Sequence, residues 1–166
     1  MQDDPLREKA EKKAFRLLTM RAHSEKELRA KLHTGGFAAD VVAGVVGKCR
    51  ELGYLNDGEF ARQRARELAV NRLLGNRRIV LDLREKGIPE ALSRQAIAEV
   101  RGEIDEGKAI EAILRRKGRA KGLDAMDEKE KARLMRSLLG KGFPTGLIFR
   151  KLQKAEEEEF HGDDGE

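Results

Sequence analysis

Three histidines, His23, His33 and His161, and one cysteine, Cys49, are the side chains of this 166-residue chain most suited to acid–base, nucleophilic or metal chemistry. Their spacing supports none of it. A catalytic histidine needs a nucleophile or a second ligand converging on the same point, and none of the three has such a companion. His23 and His33 read as polar residues at helix ends, and His161 falls in an acidic tail. Cys49 stands among Val45, Val46 and Leu52, the setting of a small core residue rather than a reactive thiol. Being single, it also excludes an intrachain disulfide. Gly140-Lys141-Gly142 has a passing likeness to a phosphate loop. It lacks the earlier glycine and the following hydroxyl residue of that motif, and reads as a helix end. No cofactor, metal or catalytic residue is expected.

The cations are more informative. Residues 1–155 carry 35 basic and 23 acidic side chains, whereas residues 156–166 carry seven acids and no base, so the net charge of +5 conceals a basic body and an acidic tail. A basic body suits a polyanionic partner, although solvated helix faces give the same composition. Three clusters stand out: Arg115, Arg116, Lys117, Arg119 and Lys121 around a glycine; Arg77, Arg78, Arg84 and Lys86; and Arg62, Arg64 and Arg66. Each could bind phosphate, or cap helix C-termini and pair with Glu on the surface. Direct base readout is not indicated, because residues 38–47 are almost wholly small and apolar apart from Asp40. Aromatics are only 4% of the chain, too few for a base-stacking platform. Nucleic-acid contact, if made, would be electrostatic and salt-sensitive.

The elements that position these clusters are set by an internal repeat. A glycine followed by a large apolar residue occurs at Gly36-Phe37, Gly87-Ile88 and Gly142-Phe143. Four residues earlier stand Leu32, Leu83 and Leu138; eight earlier, Leu28, Ile79 and Leu134; five later, Val41, Leu92 and Leu147. Periods of about 50 residues point to small stacked supersecondary units. In the first unit, helical spacing runs from Leu6 to Arg21, Ser24-Glu25-Lys26-Glu27 forms a capping box before Leu28 and Leu32, and a third helix spans Ala38 to Leu52. The second opens on the capping residues Asn56-Asp57, continues through Phe60, Ala61, Ala65 and Leu68 to Gly75, and resumes with Ile79 and Leu83. The third follows the same plan, with Pro144 in the place of Pro89.

The expected fold is therefore all-α: three tandem three-helix modules over 1–55, 56–102 and 103–155, in an elongated, curved arrangement with hinges between units. Residues 118–126 are the expected loose connection, and 156–166 a disordered acidic tail in which four adjacent glutamates repel. Tyr54 and Phe60 are expected to be buried. No apolar run is long enough to span a bilayer, and residues 1–20 lack a continuous apolar signal core, so a soluble cytoplasmic protein is expected.

The chain resembles the RecX family of bacterial recombinase regulators over roughly residues 10–153. The resemblance rests on Gly53-Tyr54-Leu55-Asn56-Asp57 leading to Glu59-Phe60-Ala61, preceded by Ser24, Glu27, Leu28, Lys31 and Leu32. It continues in Gly75-x-Arg77-Arg78-Ile79 with Leu83 and Lys86-Gly87-Ile88, and in Lys131-x-Arg133-Leu134 with Leu138 and Gly142-Phe143. It implies a non-enzymatic protein that binds RecA and its nucleoprotein filament on single-stranded DNA, inhibits ATP hydrolysis and strand exchange, and so modulates recombination and repair; a monomer is expected. Contact with single-stranded and double-stranded DNA would be through phosphates. A general DNA-binding or architectural protein acting without RecA is the alternative reading. The candidate RecA- or DNA-binding residues are Arg62, Arg66, Arg77, Arg78, Arg84, Lys86, Arg115, Arg116, Lys117, Arg119 and Lys121.

The cations do not follow the repeat: ten residues before each glycine stand Lys26, Arg77 and Ala132, and seven before stand Arg29, Val80 and Met135. The repeat thus specifies packing and not one triplicated binding site. The acidic tail lies outside the resemblance, and its charges are expected to compete with DNA for the basic body.

Overall fold

The computed structural model describes residues 4–118 and 122–162. Its described residues form nine α-helices and no strand: α1 (Pro5–Met20), α2 (Glu25–Thr34), α3 (Ala39–Glu51), α4 (Asp57–Arg66), α5 (Asn76–Glu85), α6 (Glu90–Arg101), α7 (Glu106–Gly118), α8 (Glu128–Gly140) and α9 (Thr145–Gly162). They fall into three modules, each closing a small core of its own. Ala10, Ala14, Leu28, Leu32, Val42, Val45, Val46, Cys49 and Leu55 fill the first. Phe60, Leu68, Ile79, Leu83, Ile97 and Val100 lead the second, and Ile110, Leu134, Leu138, Phe143 and Ile148 the third. The accessible surface is 10747 Å², against about 8,300 Å² for a compact monomer of this mass. The excess is what an elongated series of thin modules requires.

The repeated glycine is the αL residue of a Schellman helix end. Phe37, Ile88 and Phe143 donate their backbone N–H groups to the carbonyls of Leu32, Leu83 and Leu138, while Gly36, Gly87 and Gly142 donate to His33, Arg84 and Leu139. This bonding pattern satisfies the last free carbonyls of α2, α5 and α8 and sets an apolar residue against the leucine five positions earlier. The sequence period is thus the period of one capping motif. A fourth copy ends α3, where Tyr54 donates to Cys49 and Gly53 to Arg50.

Four sequence expectations require correction. Tyr54 is 59% exposed, its ring set edge-on to Phe15, because the Schellman turn holds its backbone while the side chain points outward. Phe60, by contrast, is 6% exposed. Phe60→Ala should cost about 3–5 kcal/mol and Tyr54→Ala under about 1 kcal/mol; denaturant melts of the two variants check this ordering, and equal losses would contradict it. The first helix of module two ends at Asn71, not Gly75: α4 passes into a wider π-type turn over Glu67–Asn71. Beyond it Leu73, at φ +53°, is held left-handed by its burial in the core of module three.

Nor do residues 156–162 form a disordered tail, because α9 continues to Gly162; residues 163–166 lie outside the described residues. The glutamates are tied down: Lys131 pairs with Glu156 at 2.8 Å, the Asp124 N–H donates to Glu159 at 3.1 Å, and Lys154 faces Glu158 one turn on. Of the expected loose connection, residues 122–126 form hydrogen-bonded turns, with Leu123 buried in the third core. Arg119, Ala120 and Lys121 lie outside the described residues.

The modules are joined by one device used twice. Asn56 caps α4 by accepting from the Glu59 N–H, while its neighbour Asp57 accepts from the Glu25 N–H at the start of α2. Asp105 likewise caps α7 at the Lys108 N–H, while Glu106 accepts from the Asn76 N–H at the start of α5. The second clamp on the same helix starts is the glycine turn of the following module. A Cβ on Gly87 would lie 2.7 Å from the Lys26 Cβ, and one on Gly142 would lie 2.4 Å from the Arg78 backbone nitrogen. The second joint is tighter, with the Gly75 N–H donating to the Lys141 carbonyl at 2.8 Å. Gly36, in the first module, meets no neighbour in this way.

Candidate functional site

The structure divides the sequence-predicted cations into two groups. Arg62 pairs with Glu59 on its own helix, Arg66 with Glu103, and Lys86 with Glu27 across the first joint at 2.9 Å. Arg64, in the same run, grips Asp82 through both its Nε and Nη2 at 2.8 Å. Arg77, Arg78 and Arg84 on α5, and Arg115, Arg116 and Lys117 at the end of α7, are exposed. None of these six has a carboxylate within salt-bridge distance among the described residues. Arg77 and Arg84 share an azimuth on α5, with exposed Leu81 between them. Arg119 and Lys121 fall outside the described residues.

Free, exposed guanidinium groups are available to phosphate or carboxylate without first breaking an internal pair. The exposed Arg62 and Arg66 pairs are weak in water and can exchange partners at little cost. Lys86 differs, because Glu27 is the hub of the first joint. Glu27 accepts from both Arg21 Nη atoms and from the Ser24 N–H, in addition to pairing with Lys86. Burial alone would raise its pKa, but the hydrogen bonds from Arg21, Lys86 and the Ser24 backbone outweigh that effect and hold the carboxyl at about 2.

Because this pKa lies below the ordinary value, the ionised form stabilises the fold fully above the unfolded pKa. That contribution is lost as pH falls through the interval from about 4.5 to about 2. Glu27→Gln should lower stability near neutral pH by about 2–3 kcal/mol and remove that part of the acid dependence. Thermal melts across this pH range test it, and parallel curves for the two proteins would contradict the assignment.

Sequence reasoning passed over two kinds of residue. Arg72, Arg133 and Arg136 are also exposed and, among the described residues, lack a carboxylate partner. The three-residue spacing of Arg133 and Arg136 on α8 was the available signal. Arg101 is structural: it donates to the Asn76 side chain and to the carbonyls of Leu74 and Ile104. Burial lowers its pKa.

The possible chemical centres contribute no reactive constellation. His23 is buried, with Nδ1 at 2.9 Å from the Arg21 carbonyl and Nε2 at 3.0 Å from the Lys31 ammonium. Burial chiefly, with the two neighbouring cations, pushes its pKa down and favours the neutral ring. Cys49 is fully buried, and desolvation raises its pKa, keeping the thiol protonated. Among the described residues no group of three His, Cys, Asp or Glu side chains could hold a metal ion, and no helix is long and apolar enough to cross a membrane.

Three small helical modules, repeated joints and unpaired surface cations define a tandem-repeat protein with an exposed basic surface. Its family is shown module by module: the first three-helix domain of RecX matches residues 10–49, the second residues 56–97 and the third residues 105–152. The chain belongs to the RecX family. Relatives include the Regulatory protein RecX of Syntrophotalea carbinolica, 29% identical over 137 residues and covering 82% of this chain and 90% of the relative. That of Amycolatopsis mediterranei is 31% identical over 146 residues, covering 88% of this chain and 82% of the relative. The crystal structure of RecX from Lactobacillus salivarius superimposes with a TM-score of 0.71 at 21% identity, over 91% of this chain and 97% of that one. A likeness at that identity speaks for the fold alone. The family and its relatives' names assign a regulatory role.

Proposed function

We propose that this protein regulates RecA by binding the RecA nucleoprotein filament on single-stranded DNA, and that it restrains ATP hydrolysis and strand exchange by occupancy. The observation that carries this reading is RecX membership through all three modules. The unpaired cations of α5 and α7 supply the physical means. Six charges on two modules of an elongated chain can engage acidic side chains of successive protomers or the phosphates of the enclosed DNA. Neither contact needs a catalytic group. DNA binding on this account is a phosphate interaction, indifferent to sequence and steep in salt.

Fluorescence anisotropy with the labelled protein tests the partner. Affinity for preformed RecA filaments should exceed affinity for the same single-stranded DNA alone by at least about tenfold at physiological ionic strength. Equal affinities would replace this reading with that of a general DNA-binding protein.

A further inference from the structure

The acidic end of α9 folds back onto the module that carries the free α7 cluster. Glu156 is held by Lys131, and Glu159 accepts the Asp124 N–H beside the Leu123 turn. These contacts place Glu158 and Glu159 in one open cleft of about 580 Å³ with Arg115, Lys151 and Lys154, over an apolar floor of Leu114, Leu123 and Ala155. Lys151 is satisfied by Glu111, and Lys154 faces Glu158 at 3.7 Å. Arg115, unlike these two, has no carboxylate within salt-bridge distance among the described residues. Glu158 and Glu159, with Glu111 one turn before Arg115, therefore bring negative charge to the cleft without pairing directly with its arginine.

We propose that Glu158 and Glu159 stand in for phosphate at the Arg115 cleft, screening Arg115, the first cation of the Arg115-Arg116-Lys117 run, until nucleic-acid phosphates displace them. This rests on the proposal that the cluster meets phosphate. It adds that the chain carries its own competitor for that site. A weak, solvent-exposed competitor sets a threshold: isolated phosphates do not outcompete two tethered carboxylates, whereas a continuous strand delivering several phosphates does. The screen should fade with salt, because the cleft is open to solvent and mobile ions screen charges that are not in direct contact. Glutamine keeps the acceptor that Asp124 uses, so Glu158→Gln with Glu159→Gln removes charge without removing the backbone contact.

The test measures binding to fluorescent oligo(dT) at low and at physiological ionic strength in four full-length proteins: the unaltered chain, E158Q/E159Q, R115A/R116A/K117A, and the combination. Circular dichroism melts establish that all four are folded. E158Q/E159Q should bind about threefold to tenfold more tightly at low salt, less so at physiological salt, and the gain should vanish in the R115A/R116A/K117A background. If R115A/R116A/K117A weakens binding but E158Q/E159Q does not strengthen it, screening is refuted and the phosphate site stands. An equal gain in both backgrounds would show a general charge effect, also refuting screening. If R115A/R116A/K117A binds like the unaltered chain, the cluster is not a phosphate site and the screen has nothing to cover.

Discussion

Replacing Arg77, Arg78, Arg84, Arg115, Arg116 and Lys117 together by Ala should abolish most binding to single-stranded DNA while leaving the fold intact. Each phosphate contact contributes about 0.7 to the salt slope on a single strand, so six contacts account for a slope near four and for affinity losses of about a hundredfold or more at low salt. Folding stability should change by no more than about 1 kcal/mol. All six side chains are exposed, and none loses a carboxylate partner among the described residues. The same experiment on Arg62 and Arg66 should give a smaller loss, since their charges are already shared with Glu59 and Glu103. Titrations at several salt concentrations, with thermal melts of the same proteins, separate the two effects. An unchanged salt slope in the six-residue variant would remove these residues from the interface.

The second large effect concerns the joint between modules two and three. Gly142 has φ +92°, and an added Cβ would meet the backbone of Arg78, which cannot move without displacing α5. Gly142→Ala should therefore cost about 3 kcal/mol or more, combining left-handed strain with loss of docking. Gly36→Ala has similar strain at φ +88° but open space around it, and should cost about 1 kcal/mol. Gly75→Ala isolates the docking component: Gly75 has an ordinary φ of −78°, yet its Cβ would lie 2.4 Å from the Gly142 carbonyl carbon. Denaturant melts followed by circular dichroism should rank Gly142→Ala and Gly75→Ala well below Gly36→Ala. Equal costs at Gly142 and Gly36 would show that the turn, and not the joint, sets the requirement for glycine.

These glycines show what the sequence could and could not reveal. The αL requirement at Gly36, Gly87 and Gly142 is local, set by helix termination, and so it leaves a period that can be read from the chain. The joint is not local. Asp57 and Glu106 look like ordinary acidic residues of a helix start, yet each bonds the first N–H of a helix in the preceding module, 32 and 30 residues away. The family motif Gly53-Tyr54-Leu55-Asn56-Asp57 thereby acquires a structural meaning: a helix end, an exposed ring, a core leucine, a cap and a joint.

Tyr54 was misread for a related reason. The α3 turn sends its side chain toward Phe15 at the surface, a direction set by packing that its place in the sequence does not show. The acidic segment was misread because like charges in sequence say nothing of Lys131 and Asp124, which fold beneath them. Among the cations, composition located the clusters. Only the pairings separated Lys86, which holds a joint, from Arg77 and Arg115, which hold nothing within the described chain.

The most direct measurement is RecA's ATP hydrolysis on single-stranded DNA while this protein is titrated from far below the RecA concentration, beside its binding to the same DNA alone. Filament-directed regulation predicts inhibition at ratios too low to coat the DNA, lost in the variant lacking Arg77, Arg78, Arg84, Arg115, Arg116 and Lys117. Inhibition only at DNA-saturating amounts, or none, would contradict it.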